Sequence, residues 1–280
     1  MTRSAWRLIV DAAQDGASNM ATDEAMLDAY DGDRRHAPPT LRLYGWRPAA
    51  LSLGRNEASA SAYDPQAAAR EGIDVVRRPT GGSAVLHELE RTYAIAGARG
   101  TAPFDGGALD LYRAIASALV RALARLGVAA TAVEPGRGAG RRASGSCFET
   151  TGAWEIAAGG RKIVGSAQAR RRRSFLQHGS IPIRLEPERL ASITGALVSG
   201  DRFTDLERAS GGPLQPALLD RALIAGFEET FGAAWTAEGL SESEALRAAE
   251  LRCWKYDSIA WTRDATIGAR ESRWGPPVAR

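Results

Sequence analysis

Residues 154–168, WEIAAGGRKIVGSAQ, decide the fold. Two short runs, WEIAA (154–158) and RKIVGSAQ (161–168), flank Gly159-Gly160. A Gly-Gly pair supplies the positive φ that a two-residue hairpin turn requires, so the stretch predicts an antiparallel pair of strands. QHGSIPIRL (177–185) reads as a further strand beyond it. Upstream, LRLYGW (41–46), ALSLGR (50–55), IDVVRR (73–78), SAVLH (83–87) and RTYAIAG (91–97) are strand-like runs with tight connections. Helices are interspersed. SNMATDEAMLDAY (18–30) has Ser18 as its candidate cap, with Asp23 and Glu24 early in it, and Asp64-Pro65 opens a short helix through Arg70. The spacing of Leu109, Tyr112, Ala116, Leu119, Leu123 and Leu126 predicts a long helix over 109–126, stopped by Gly127. Further helices are expected over 216–231 and over 241–250, the latter opened by a Ser241/Glu244 capping box. The stretch EPGRGAGRRASGS (134–146) has no periodicity and reads as loop. The pattern predicts one domain over 1–280 with a helical C-terminal portion from about 186. Its fold class is α+β, with a mixed, largely antiparallel sheet flanked by helices.

A chain of 280 residues and 29.8 kDa, 44% hydrophobic and 25% charged, buries enough apolar surface to fold without a staple. Two cysteines, Cys147 and Cys253, make neither a disulfide framework nor a cysteine-rich zinc site, so a reducing, cytoplasmic setting is expected and no metal site is. The only apolar run near the N-terminus is Leu8-Ile9-Val10, too short for a signal peptide, and no stretch approaches a membrane span. Net charge is +3, yet lysine occurs only at Lys162 and Lys255, the other 34 of 36 basic residues being arginine. Where a chain writes Arg for charge, a Lys suggests a position wanting a compact ammonium, one able to lose its proton. For Lys255, two lysines surviving by chance is an equally good account.

Chemistry concentrates in four segments. In Arg77-Arg78-Pro79-Thr80-Gly81-Gly82-Ser83-Ala84-Val85-Leu86-His87, the glycine pair permits a tight turn whose amides approach a ligand, and an arginine stands at the rim. A plain hairpin turn is the bland alternative. In Gly160-Arg161-Lys162-Ile163-Val164-Gly165-Ser166-Ala167-Gln168, the lysine lies beside small residues that leave room for a substrate. Cys147 follows the loop, and nearby Arg141 and Arg142 would favour its thiolate if they face it. His178, in Gln177-His178-Gly179-Ser180, falls on the strand expected next to the lysine hairpin. The run Arg170-Arg171-Arg172-Arg173 reads as a docking edge for acidic proteins or as a solvated turn; no nucleic-acid-binding motif accompanies it.

Taken together, these segments resemble the lipoate/octanoate branch of the biotin–lipoate protein ligase superfamily. The resemblance runs from about Met20 to about Ile183, with a weaker echo from Trp254-Lys255-Tyr256 through Trp261. RRPTGGSAVLH looks like that family's arginine–glycine signature; GRKIVGSAQ followed by LQHGS looks like its lysine and histidine strands. A Cys-Phe before the lysine hairpin is similar to single-domain octanoyltransferases. The resemblance implies a biotin/lipoate ligase-like catalytic domain that moves octanoate from acyl carrier protein to a lysine of a lipoyl domain, by way of a Cys147 thioester. It assigns catalysis to Cys147 and Lys162, and substrate binding to Arg78, Thr80, Gly81, Gly82, Ser83, Ala84, His87, Gly165, Ser166, Ala167, His178 and Gly179. Acyl carrier protein is the implied donor; glycine cleavage H protein or a dehydrogenase E2 subunit is the implied acceptor. No cofactor is required, since thioester exchange is nearly isoenergetic and amide formation is downhill; no membrane and no nucleic acid is expected as partner. An octanoyl tail buries about six methylenes, roughly 5 kcal/mol at ~0.8 each. The rivals are an ATP-dependent lipoate–protein ligase and a non-catalytic acyl- or lipoyl-domain-binding protein.

Overall fold

The computed structural model describes residues 3–133, 155–195 and 202–266. In chain order it runs β1 (Ser4–Val10), α1 (Gly16–Asp31), β2 (Thr40–Tyr44), β3 (Ala50–Leu53), α2 (Ser59–Ala62), α3 (Pro65–Arg70), β4 (Asp74–Arg77), β5 (Val85–His87) and β6 (Glu90–Ala98). Next come α4 (Ala108–Arg125), β7 (Ala130–Val133), β8 (Glu155–Ala158), β9 (Arg161–Arg170) and β10 (Ser174–Pro182). The C-terminal part holds α5 (Pro187–Thr194), α6 (Leu206–Ser210), α7 (Pro216–Phe231), β11 (Ala233–Ala237), α8 (Glu242–Leu251), a π-helical turn (Arg252–Tyr256) and α9 (Ile259–Asp264). No helix among the described residues is long and apolar enough to cross a membrane.

The strands form two sheets: an eight-stranded one, ordered β11-β1-β2-β6-β10-β9-β8-β7, and a three-stranded one, ordered β4-β3-β5. Pairing is parallel for β11/β1, β1/β2 and β3/β4 and antiparallel elsewhere, which is the mixed, largely antiparallel arrangement expected. Helices α4 and α7 cover one face of the large sheet around Trp6, Ile115, Leu119, Leu223 and Phe227. Helix α1, with α8 and the π-turn, covers the other around Met20, Met26, Tyr30 and Trp261. The small sheet has its own core, Leu51, Leu53, Ile73, Leu190 and Ile193, shared with α3 and α5.

Several expectations are corrected. The C-terminal portion is not wholly helical: β11 returns to pair with β1, register Trp6 to Trp235. Neither strand has a partner close in sequence, so neither shows as a hairpin; β7 likewise lies at an edge. Helix α1 is capped by Asp15, whose Oδ1 accepts from the Ser18 amide at 2.9 Å, so Ser18 sits inside the first turn. Of the predicted α4 stripe Ala116, Leu119 and Leu123 are buried, joined by Leu111, Ile115, Ala118 and Ala122, whereas Leu109 is left 56% exposed. The strands over 41–46 and 50–55 do not pair with each other; they belong to different sheets. That division opens the space in which the site lies.

Candidate active site

Where the small sheet leans on β6, β9 and β10, it leaves a largely apolar pocket. Met20, Trp46, Val85 and the backbone of Gly165 and Gly179 supply much of its wall. Arg78, His87, Ser166, Ala167 and His178 line it as well. The register explains the convergence: His178 lies opposite Ala167, and Gly179 opposite Ser166, so the lysine and histidine strands place their small residues side by side. A Cβ on Gly179 would lie 2.6 Å from the Gly165 carbonyl oxygen and 2.6 Å from the Tyr93 ring, so only glycine fits between these strands. Behind them Tyr93 meets Ser166 Oγ at 2.7 Å, and burial pushes its phenol up to about 12.

His178 is held at both nitrogens. Its Nδ1 lies 2.8 Å from Asp23 Oδ2, and its Nε2 lies 2.7 Å from Thr80 Oγ1. Asp23 in turn accepts from Arg42 Nη1 at 2.7 Å and from the Tyr44 hydroxyl at 2.8 Å. Burial alone would raise the Asp23 carboxyl, but the His178 hydrogen bond and the Arg42 charge hold it below its ordinary value. His87 is similarly engaged. Its ring stacks on Trp46 with centroids 4.0 Å apart, Nε2 lies 2.8 Å from Ser52 Oγ, and Nδ1 faces Glu90 Oε2 at 3.3 Å. Burial pushes its imidazole down, outweighing Glu90, so the ring is neutral.

The arginine–glycine turn stands one layer back. Arg78 lines the pocket but directs its guanidinium inward, Nη1 to the Ser52 carbonyl at 2.7 Å and Nη2 to the Gly81 and Ser83 carbonyls at 2.7 and 2.9 Å. Thr80 reaches the wall through His178, whereas Gly81, Gly82, Ser83 and Ala84 shape the turn without lining the pocket. Gly82 has φ of 96°, and a Cβ on Gly54 would fall 1.7 Å from the Gly82 carbonyl oxygen; two backbones touch here. Glu57 staples both, accepting from the Gly54 and Ala84 amides at 3.0 and 2.9 Å.

Lys162 is buried on β9 and ion-paired with Glu155 of β8. Its backbone is clamped from the far side as well, its amide donating to the Arg202 carbonyl and its carbonyl accepting from the Thr204 amide, both at 2.9 Å. The side chain folds along β9, so its amine lies 3.9 Å from where a Gly165 Cβ would stand, directly behind the pocket wall. Cys147, with Arg141 and Arg142, lies outside the described residues. Cys253 is exposed. Of the arginine run, Arg171 is drawn inward to Glu24 and Asp28 at 2.9 and 2.8 Å, and the Arg171 and Arg172 carbonyls accept from Arg99. That part of the run is therefore structural. Among the described residues no cluster of His, Cys, Asp and Glu could hold a metal ion.

Asp23, Ser52, Glu57 and Glu90 were not singled out from the sequence, and neither was Trp46. Asp23 was read only as an early acidic residue of its helix; it is buried there together with Asn19, Thr22 and Glu24.

The chain is similar to known proteins over most of its length. A family model described as the lipoyl protein ligase A/B catalytic domain matches residues 15–228. A protein named octanoyltransferase LipM from Kyrpidia tusciae is 36% identical over 272 residues, covering 91% of this chain and 97% of that protein. The protein of the same name from Symbiobacterium thermophilum is 38% identical over 271 residues, with the same coverage, 91% and 97%. A solved structure described as lipoate-protein ligase A bound with ATP superposes with a TM-score of 0.79 at 24% identity, covering 94% of this chain and 100% of that one. At that identity the likeness speaks to the fold.

Proposed function

The chain belongs to the lipoyl protein ligase A/B catalytic-domain family, and from that membership we propose that it is an octanoyltransferase of lipoylation. Its donor is an octanoyl thioester of acyl carrier protein and its acceptor a lysine of a lipoyl domain, such as that of glycine cleavage H protein or a dehydrogenase E2 subunit. The observation that carries this reading is the buried ammonium of Lys162 set behind Gly165 in the wall of a mostly apolar pocket. An aliphatic acyl chain needs a wall of that kind, and its carbonyl needs a cation at one end.

In the first step the Cys147 thiolate attacks the thioester carbonyl carbon, the C–S bond to the carrier breaks, and the carrier thiolate leaves. In the second, the acceptor lysine amine attacks the acyl-Cys147 carbon, the amide forms, the amine loses its proton and Cys147 is released. Lys162 holds the acyl carbonyl in both steps, a cation at a developing oxyanion being worth about 3 kcal/mol when well aimed. No nucleotide enters either step, and one site serves two protein substrates in turn, which predicts ping-pong kinetics.

Mass spectrometry of the intact chain after incubation with octanoyl-carrier tests this directly. An octanoyl increment on Cys147, absent in Cys147→Ala, is the expected result. An unchanged mass, with an acyl-adenylate formed from ATP and lipoate instead, would replace the transferase by a ligase.

A further inference from the structure

Every hydroxyl in the pocket wall is turned toward another protein group. Tyr44 donates to Asp23 at 2.8 Å, Thr92 and Ser180 donate to Glu90, Ser166 meets the Tyr93 hydroxyl, and Ser52 meets His87. The two imidazoles are closed in the same way at Nε2; His87 Nδ1, 3.3 Å from Glu90, makes no hydrogen bond. His178 Nδ1 lies 2.8 Å from Asp23 Oδ2, and the Thr80 hydroxyl occupies its Nε2 at 2.7 Å. Ser52 Oγ accepts from Arg78 Nη1 at 3.2 Å, which turns its own proton toward His87 Nε2 at 2.8 Å. Both hydroxyls are buried, Thr80 on the glycine turn and Ser52 on β3, so water does not compete for these bonds.

We propose that Thr80 and Ser52 are specificity-determining residues: by capping the Nε2 atoms of His178 and His87, they make the pocket offer carbon rather than nitrogen, and so select unsubstituted acyl chains over hydroxylated ones. The proposal rests on the acyl-pocket reading above and adds to it how the wall discriminates. A bare imidazole nitrogen would accept from a hydroxyl on the chain; a capped one leaves that hydroxyl without a partner after it has lost its water. An apolar pocket rejects an added hydroxyl by about 10²-fold, the scale expected for the wild-type chain. Thr80 touches the pocket only through His178 and is in that sense a positioning residue; Ser52 also lines the pocket itself.

The test compares octanoate with a set of hydroxyoctanoates bearing the hydroxyl at successive carbons. Binding is measured by calorimetry, and transfer is measured from the corresponding acyl-carrier thioesters, using the full chain. Thr80→Val keeps the shape and removes the cap; it should narrow the octanoyl preference by about tenfold against the chain whose hydroxyl reaches His178, the worth of one hydrogen bond. Ser52→Ala should do the same at a different carbon, that facing His87. Thr80→Ser restores the cap and the wild-type ratio, an outcome that general loosening of the wall would not produce. Circular dichroism confirms that each variant is folded, and Ser52→Ala carries the test should Thr80→Val fail to fold. Ratios unchanged in folded variants overturn the proposal and leave the acyl pocket standing; a wild-type chain that neither binds octanoate nor transfers octanoyl overturns both.

Discussion

The two lysines are built alike and placed differently. Lys162 and Lys255 are both buried, and both are paired with a glutamate. Lys255 donates to both oxygens of Glu24, at 2.9 and 2.7 Å, and lies 4.1 Å from the centre of the Trp261 ring; Tyr256 and Arg171 complete the cluster. It fastens the π-turn to α1. Lys162, by contrast, stands behind a glycine in a pocket wall, with its backbone clamped by the 202–204 segment. A buried ammonium in an arginine-rich chain is thus no mark of chemistry on its own. What distinguishes the two is their surroundings: Lys255 is enclosed by Glu24, Tyr256 and Trp261, whereas Lys162 lies next to Gly165 of the pocket wall.

That contrast can be broken by substitution. The largest effect is expected from Lys255→Met, which leaves the buried Glu24 carboxylate with only Arg171 and the Tyr256 hydroxyl and should cost about 3 kcal/mol of stability by denaturant unfolding. The octanoyl transfer rate per folded molecule should be unaltered; a loss of transfer in folded protein would erase the distinction between the lysines. Lys162→Met should lower the transfer rate per folded molecule by about 10²–10³, as for a lost oxyanion donor, slowing both the formation and the consumption of octanoyl-Cys147. If its main effect were on the midpoint, Lys162 too would be a structural cation.

Acid titration sharpens the comparison. Burial raises the Glu24 and Asp23 carboxyls, but the Lys255 charge on the first, and the His178 hydrogen bond and Arg42 charge on the second, leave both below their ordinary values of 4.5 and 3.8. Groups with depressed folded values contribute stability that is complete above those ordinary values and lost as pH falls through the depressed ones. Tm should therefore fall steeply on acidification through that range, and Lys255→Met should remove the Glu24 share of the fall. An identical pH dependence in the two proteins would mean that the pair is not formed. The smallest effect belongs to Arg171→Ala, a partly exposed partner of Glu24, at about 0.5–1 kcal/mol.

Much of the fold was legible in the residues. The Gly159-Gly160 hairpin, the long helix and the C-terminal helices are local patterns, each carried by turn residues or by a 3.6-residue period. The strands β1, β7 and β11 were not, because Ser4–Val10 and Ala233–Ala237 are stabilised by each other across nearly the whole chain. The candidate site divides the same way. Lys162, His87, His178 and the small residues of β9 stood out by rarity or by motif. Ser52 and Glu90 did not, since a serine and a glutamate in strands are unremarkable until a histidine lies beside them.

By itself, the sequence determined which residues could do chemistry and which elements they occupy, because residue type, turn propensity and apolar spacing are local properties of the chain. Only the tertiary structure decided that the strands divide into two sheets with a pocket between them, that one lysine lies behind a glycine of that pocket's wall while the other is sealed against α1, and that both pocket histidines are capped at Nε2. These outcomes depend on distances between residues far apart in sequence. Hydrogen bonds and ion pairs act over a few ångströms, and no local pattern records which distant groups will come that close.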